Sequence, residues 1–251
     1  MREIDLLESF PKSKKEVEKG WRTEENRRIA KRFDKEFFDG ERVNGYGGYV
    51  YDGRWKGAVK KMQEIYKINS NSSVLDIGCG KGFLLYDLQD MIPGIQIAGI
   101  DISNYAINHT MDGFGNYIAK NDTPHDYSFN SSCFNQEDNL EESAKRKIIP
   151  HIIQGSVEKL PWIDNSFDVV LSVDTIHNLP LNECEESIKE IMRVCRPNGN
   201  MFIKVDAYRN NEEKERMNNW VLTAKTAMSV ENWLKFFEKI GYDGDYSWTT
   251  F

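Results

Sequence analysis

A glycine-rich turn between an apolar run and an amphipathic run constrains the fold of this chain more than any other feature. Residues 74–82 read Val-Leu-Asp-Ile-Gly-Cys-Gly-Lys-Gly, so that a short apolar run leads directly into Gly78, Gly80 and Gly82. The apolar run has the composition of a buried parallel strand, and residues 83–88 have the spacing of an amphipathic helix. A strand, a tight glycine turn and a helix in this order form the opening of a Rossmann-like unit.

An acidic residue at the end of the next apolar run indicates a bound nucleoside. Residues 95–100 predict a second strand, and Asp101 follows it, nineteen residues after Gly82. A carboxylate at this place can accept hydrogen bonds from both ribose hydroxyls. Asp101 could instead be the N-cap of a helix, because Asp is favoured there. Its position at the end of the predicted strand favours the ribose role.

The glycine turn differs from that of a dinucleotide-binding fold. Counted from Gly78, the last glycine of G-x-G-x-x-G is replaced by Phe83. That glycine lets the helix and strand pack closely around a pyrophosphate, so its replacement disfavours NAD. Asp76 places a negative charge just before the turn, which suits a ligand carrying an ammonium and a sulfonium better than one carrying phosphates.

These residues resemble the first motif, (D/E)-x-G-x-G-x-G, of the class I S-adenosylmethionine-dependent methyltransferases, and in particular methyltransferases of type 11. Residues 155–161 and 164–172 resemble the adenine-contacting loop and fourth strand of that family. Residues 193–203 resemble the turn into its fifth strand, with Pro197 and Gly199 shaping the turn. The resemblance covers residues 74 to about 208 and implies S-adenosyl-L-methionine as the cofactor.

The resemblance implies an α/β fold with a Rossmann-like, seven-stranded, mostly parallel sheet and helices on both faces. A chain of 251 residues can bury one substantial core, so we expect a single domain. Its expected parts are an N-terminal cap or lid at 1–60, a cofactor-binding core at 61–208 with an insertion after strand two at 108–147, and a C-terminal strand-helix-strand unit at 209–251.

The C-terminal unit is expected to contain a strand at 219–226 and a final edge strand at 246–251. Between them, Ser229 is expected to cap a helix over 230–240 that ends at Gly241.

The expected cofactor-binding residues lie in the lid or at the ends of the predicted strands. They are Tyr46, Arg54, Asp76, Gly78, Gly80, Gly82, Asp101, Ile102, Ser156, Val157 and Val173. The family often has Asp where this chain has Ser156, although a serine hydroxyl can still accept a hydrogen bond.

The N-terminal segment combines an apolar stripe with a glycine-aromatic loop. Ile29, Phe33, Phe37 and Phe38 could share one helical face. Residues 39–55 contain five glycines, three tyrosines, a tryptophan and two arginines, and such a loop can close over a ligand. The alternative is that its aromatic residues only cover the edge of the core.

Within this loop, Arg54 is expected to hold the methionine carboxylate or an anionic group of the substrate, with Arg42 as the alternative. Tyr46, Tyr49 and Tyr51 are expected to form walls of the same pocket. Residues 45–55 also resemble a segment of bacterial methyltransferases associated with capsular and other surface-polysaccharide biosynthesis.

The insertion at 108–147 is rich in Asn, Asp, Ser and aromatic residues and is longer than most ordinary connections. This length and composition predict a partly ordered lid, with disorder as the alternative. His109 and His125 lack the neighbouring ligands of a metal site, so no metal is expected.

Methyl transfer from a sulfonium is an in-line displacement that depends mainly on alignment in a dry pocket. A hydroxyl or ammonium acceptor must also lose a proton. His177, just past the predicted fourth strand, is a candidate base or orienting group, and Tyr49, Tyr51 and Asp206 are alternatives. A packing role for His177 remains open.

The overall charge narrows the expected partners. The formal net charge of -7 disfavours nucleic acid and favours a small polar metabolite, such as a surface-saccharide precursor. We found no signal peptide or long apolar run, so no membrane association is expected. Cys79, Cys133, Cys184 and Cys195 lack metal spacing, which indicates a reduced, cytoplasmic protein. The oligomeric state stays open, as do a non-catalytic adenosyl-binding module and a methyltransferase acting on protein or RNA.

Overall fold

A computed structural model describes residues 1–11, 17–110 and 151–251. Most of the insertion predicted at 108–147, including His125, therefore lies outside the described residues.

Seven strands form one sheet with strand order β3-β2-β1-β4-β5-β6, and β7 also pairs with β5. All of the pairings between these strands are parallel. The order reverses beside β1, so a crevice opens at the carboxyl ends of β1 and β4. The expected Rossmann-like sheet is confirmed. The strands are β1 (Ser73–Ile77), β2 (Gln96–Asp101), β3 (His151–Gln154), β4 (Phe167–Val173), β5 (Cys195–Tyr208), β6 (Met228–Ser229) and β7 (Asp245–Thr249).

Helices cover both faces of the sheet, as expected. The helices of the described residues are α1 (Glu24–Ala30), α2 (Lys35–Phe38), α3 (Trp55–Tyr66), α4 (Phe83–Met91), α5 (Asn104–Asn108), a 3-10 turn (Ile176–Asn178), α6 (Leu181–Val194), α7 (Asn211–Trp220) and α8 (Val230–Ile240). Val59 and Leu85 of α3 and α4 belong to one apolar cluster, and Ile188 and Trp233 of α6 and α8 belong to another. Every residue of β1 is buried, because the strand is covered on both faces.

The C-terminal unit differs from the prediction at residues 219–226. The strand predicted at 219–226 is wrong, because α7 continues to Trp220 and only the two residues of β6 join the sheet. The Asn210 side chain accepts a hydrogen bond from the Glu213 amide and so stabilises the start of α7, a capping signal that the strand assignment overlooked. The helix from Ser229 to Gly241 is confirmed with both of its caps.

The last strand, β7, is not a free edge. The backbone of Ile4 donates to Tyr246 O at 2.9 Å, and the Tyr246 amide donates to Arg2 O at 3.0 Å. The N-terminal segment therefore covers the outer side of β7.

The predicted apolar stripe of the N-terminal segment does not form one helix. Phe33 adopts a left-handed backbone conformation with a φ of 51°, which interrupts the helical backbone between α1 and α2. Phe33 and Phe37 still make an edge-to-face contact, with ring centroids 5.2 Å apart. The short helices therefore pack as a cap whose aromatic side chains face the sheet's crevice.

Candidate active site

A cavity of about 560 Å³ lies at the carboxyl ends of β1, β2, β4 and β5. This volume is typical of small-molecule sites. Ten of the residues expected from the sequence line it: Tyr46, Tyr49, Gly78, Gly80, Asp101, Ile102, Ser156, Val157, Val173 and His177. Four others, Tyr51, Arg54, Asp76 and Gly82, do not line it.

The glycine turn presents bare backbone to the cavity. Gly78 has a φ of 76°, and a Cβ there would lie 1.9 Å from Thr175 Oγ1. No side chain fits at this position without moving Thr175, whose hydroxyl donates to Val173 O at 3.0 Å. The close packing of Gly78 against Thr175 therefore requires glycine here, and the turn lines the cavity as a cradle of backbone atoms.

Asp101, at the end of β2, is held in a fixed orientation beside this cradle. Its Oδ2 accepts from the Gly80 amide at 2.8 Å, and its Oδ1 accepts from the Ser103 amide at 2.8 Å. Burial raises the pKa of Asp101, and these two hydrogen bonds oppose that rise. Each carboxylate oxygen retains a further lone pair, so the side chain can still accept two hydroxyl groups.

Asp76 lies beneath the glycine turn and is only 5 % exposed. Burial, followed by repulsion from Asp101, raises the pKa of Asp76 to about 7. Two neighbouring carboxylates at one end of the cavity favour a ligand that carries positive charge there. Asp76 does not itself line the cavity, so it would influence such a ligand only through its electric field.

An ion pair between a buried lysine and a partly buried aspartate links the glycine-aromatic loop to the glycine turn. Lys81 Nζ donates to both carboxylate oxygens of Asp39, at 2.9 and 2.7 Å, and to Tyr49 O at 2.9 Å. The Tyr105 hydroxyl donates to Asp39 Oδ2 at 2.7 Å. Burial alone would raise the pKa of Asp39, but the bonds from Lys81 and Tyr105 lower it overall. Sequence reasoning missed this pair, because no motif links the two residues.

Two of the three predicted tyrosine walls are present. The Tyr49 ring stacks on Phe83 with a centroid distance of 4.8 Å and lies 4.5 Å from the Tyr46 ring. Tyr51 points elsewhere, because its hydroxyl donates to Asp87 of α4. The structure therefore does not bring Tyr51 to the acceptor, and its predicted catalytic role lacks the necessary position.

Arg54 also lies outside the cavity. Its guanidinium pairs with Asp52 at 2.6 Å and lies 5.8 Å from the centre of the Phe10 ring. Arg42, the alternative named from sequence, does line the cavity. The prediction that Arg54 holds a ligand carboxylate therefore conflicts with the fold, since its guanidinium is paired on the outer surface.

His177 is 3 % exposed and is held by Asp206 through both ring nitrogens. Its Nδ1 accepts from the Asp206 backbone amide at 3.1 Å, and its Nε2 lies 3.4 Å from Asp206 Oδ2. A ring that accepts at Nδ1 carries its proton on Nε2 and has no remaining lone pair. His177 thus lacks the geometry of a general base, contrary to the first of its predicted roles, and its Nε2 lies beside the Asp206 carboxylate.

Further polar residues border Asp206 at the ends of β4, β5 and β7. Lys204 Nζ pairs with Asp174 Oδ1 at 2.6 Å, and the Thr249 hydroxyl donates to the same oxygen at 3.0 Å. Asp174 has a φ of 54°, an uncommon conformation for a residue other than glycine. Backbone strain of this kind is found at functional sites more often than elsewhere.

No group of three metal-ligating side chains occurs among the described residues. None of the helices in residues 1–11, 17–110 and 151–251 is long and apolar enough to cross a membrane.

The parallel strand order, the glycine turn after β1 and the acidic residue that ends β2 define a class I S-adenosylmethionine-dependent methyltransferase. A model of the methyltransferase domain family matches residues 75–203, which is half of the chain, so this protein belongs to that family.

Individual relatives are distant. The chain is 31% identical over 120 residues to the phthiotriol/phenolphthiotriol dimycocerosates methyltransferase of Mycobacterium tuberculosis, covering 47% of this chain and 42% of that protein. It is 28% identical over 180 residues to the demethylmenaquinone methyltransferase of Desulfitobacterium hafniense, covering 71% and 55%. The matches therefore span about half the length of these curated relatives.

Among solved structures, the YcgJ protein of Bacillus subtilis is similar with a TM-score of 0.49 and 19% sequence identity, covering 72% of this chain and 66% of that one.

Proposed function

We propose that this protein transfers the methyl group of S-adenosyl-L-methionine to an oxygen or nitrogen atom of a small polar molecule. The observation that carries the proposal is the cavity, which joins the glycine turn and Asp101 at one end to Asp206 and His177 at the other. A donor and an acceptor can therefore occupy one recess, as an in-line displacement requires.

The residues at the first end fit the cofactor. Gly78 and Gly80 line the cavity with backbone and would face the methionine part, and a Cβ at these positions would collide with Thr175 or crowd Tyr49. Asp101 would accept the ribose hydroxyls, and Ser156 and Val157 would border the adenine. When bound, the cofactor supplies an electrophilic methyl group on a positively charged sulfur. The field of Asp76 and Asp101 favours that positive charge.

At the second end, Asp206 would orient the acceptor and take its proton. The His177 ring keeps the Asp206 carboxylate in place, since it is in contact with the backbone and the side chain of that residue. Trp233 Nε1 also donates to Asp206 O at 3.1 Å, which fixes the same segment of β5. Asp206 was one of the alternatives named from sequence.

The cavity is bordered by aromatic and aliphatic side chains as well as by charged ones, and the charged side chains support a polar acceptor. Arginine, lysine and carboxylate side chains all border it, and contact with an apolar acceptor would remove them from water without replacing their hydrogen bonds. The relatives include a phthiotriol/phenolphthiotriol dimycocerosates methyltransferase and a demethylmenaquinone methyltransferase, so an apolar acceptor is the competing proposal. A surface-saccharide precursor is supported only by the resemblance of residues 45–55.

The test combines cofactor binding with methyl transfer. We expect S-adenosylhomocysteine to bind by calorimetry, and small molecules from a lysate to accept label from a methyl-labelled cofactor. Asp206→Asn should lower turnover by about 100-fold or more with cofactor affinity unchanged, because a positioned base contributes about that much. His177→Gln should have a smaller effect, and the exposed Asp243→Asn serves as control.

Absence of binding by either adenosyl ligand would refute the function itself. Label transfer to protein or tRNA alone would refute the proposed acceptor class. A turnover in Asp206→Asn within about tenfold of the wild type would leave alignment as the main source of catalysis.

A further inference from the structure

We infer that the methyl acceptor carries an oxyanion, a carboxylate or a phosphate, which binds to Arg22 and Arg42 at the second end of the cavity. This inference rests on the proposed methyl transfer and adds the charge of the acceptor to it.

Arg22 is a buried cation with an unused donor. It is 5 % exposed, and its guanidinium carbon lies 4.8 Å from the centre of the Trp220 ring and 5.4 Å from that of Trp21. Nη1 donates to Trp220 O, and Nη2 donates to Arg42 O at 3.4 Å. Nε has no hydrogen-bond partner in the described part of the chain. A buried charged donor left in this state is costly, so it favours an incoming acceptor group.

Arg42 brings a second positive charge to the same place. Its guanidinium carbon lies 5.3 Å from the centre of the Trp220 ring, and Nη1 donates to Gly45 O. Within the described residues, neither Arg22 nor Arg42 has a carboxylate within salt-bridge distance. Burial, followed by repulsion from Arg42 and Arg27, lowers the pKa of Arg22 to about 10. An anion between the two guanidinium groups would offset this repulsion and could receive forked hydrogen bonds.

The position of the two arginines assigns them to the acceptor. Both contact Trp220, the last residue of α7, and Val221, Leu222 and Thr223 after it also line the cavity. The glycine turn is separated from them by the tyrosine walls, since Tyr49 lies against Gly80 and Tyr46 lies against Tyr49. Desolvation and nearby carboxylates raise the pKa of Tyr46, and Arg42 opposes that rise.

The first experiment titrates inorganic phosphate and acetate separately into protein that is saturated with S-adenosylhomocysteine. The carboxylate of this ligand then already occupies the cofactor's carboxylate site, so an added anion must bind elsewhere. We expect at least one of the two anions to bind and to raise the melting temperature. Arg42→Gln should weaken that binding by about tenfold or more, the loss expected for a charge-assisted hydrogen bond. Arg54→Gln removes the same charge from the same loop outside the cavity. This control should change the affinity for the anion by less than about twofold.

The relative binding affinities of phosphate and acetate distinguish a phosphate group on the acceptor from a carboxylate group. Either result supports the inference. Binding of neither anion would overturn it. The inference would equally be overturned if Arg42→Gln weakened the binding of S-adenosylhomocysteine by about tenfold, because the arginines would then bind the cofactor's carboxylate.

The second experiment passes the methyl-labelled product over an anion exchanger at neutral pH. We expect the labelled product to be retained, and phosphatase treatment to release it if the oxyanion is a phosphate monoester. A labelled product that is not retained would refute the anionic acceptor while leaving the methyl transfer intact. Failure of the proposed function would instead show as absence of label transfer and of adenosyl-ligand binding.

Discussion

The contribution of Asp76 to the stability of the cofactor-free protein should fall as the pH rises toward neutrality. Burial and repulsion from Asp101 raise the pKa of Asp76 to about 7 in the folded protein. An unfolded chain gives aspartate a pKa of about 3.9, so the folded state binds this proton more tightly. The stabilising contribution of Asp76 is therefore complete below about pH 4 and is lost as the pH rises through about 7.

The size of the effect follows from the difference between these two pKa values. A rise of about three pKa units corresponds to roughly 4 kcal/mol of stability lost between about pH 4 and pH 8. A ligand that brings positive charge near Asp76 favours its ionised form and lowers its pKa again. If that pKa returned to about 5, the ligand would bind about tenfold more tightly at about pH 8 than at about pH 6.

Calorimetric titration of S-adenosylhomocysteine at several pH values, in buffers of different ionisation enthalpy, measures both the affinity and the protons released. Asp76→Asn should remove the proton release and flatten the pH dependence. Asp87→Asn is the matched control, because Asp87 is a buried carboxylate of α4 that does not line the cavity. Equal proton release by the wild type and Asp76→Asn would refute the reasoning.

Three further outcomes are expected. Asp101→Ala should raise the dissociation constant of S-adenosylhomocysteine by about tenfold or more in calorimetry, the loss expected for hydrogen bonds to a charged group. Lys81→Met should destabilise the protein by about 2 kcal/mol in denaturant titrations, because it removes the charged hydrogen bonds from the partly buried Asp39, which keeps its bonds from Tyr49 and Tyr105. Lys56→Met, which removes an exposed pair, should cost less than about 1 kcal/mol. Deleting residues 112–142 should weaken acceptor binding with folding intact if the predicted lid exists, and full activity would contradict that prediction.

The sheet and the glycine turn could be predicted from sequence because their signals are local. The turn at Gly78, the acid at Asp101 and the caps at Ser229 and Gly241 each depend on residues close together in the chain. Hydrogen bonding and backbone conformation decide such features within a few residues. The resemblance to a known family then placed these local pieces in one strand order.

Contacts between residues that are far apart in the sequence could not be predicted from the sequence alone. Lys81 meets Asp39 across 42 positions, and Arg22 meets Trp220 across 198 positions, with no spacing rule that connects either pair. The loop at 39–55 was identified correctly as irregular, but its composition could not show that Arg54 turns outward while Arg42 faces the cavity. Which side chain of a loop faces a ligand depends on the packing of the folded chain.

The role of His177 also could not be predicted from the sequence, because it depends on which of its ring nitrogens makes a contact. Its place beyond β4 was predicted, and it does line the cavity. Whether a histidine can take a proton depends on which ring nitrogen is already engaged, and here Nδ1 accepts from the Asp206 amide. Only the folded backbone of β5 supplies that amide.

The net charge of the whole chain gave little information about how charges are distributed in the site. The chain carries a formal charge of -7, yet two arginines without carboxylate partners among the described residues border one end of its cavity. Asp76 and Asp101 lie at the other end. The carboxylates near the glycine turn favour a cationic donor, and Arg22 and Arg42 favour an anionic group on the acceptor beside the Asp206 carboxylate. These separate charges would orient both molecules before reaction, which is the condition that an in-line methyl transfer needs most.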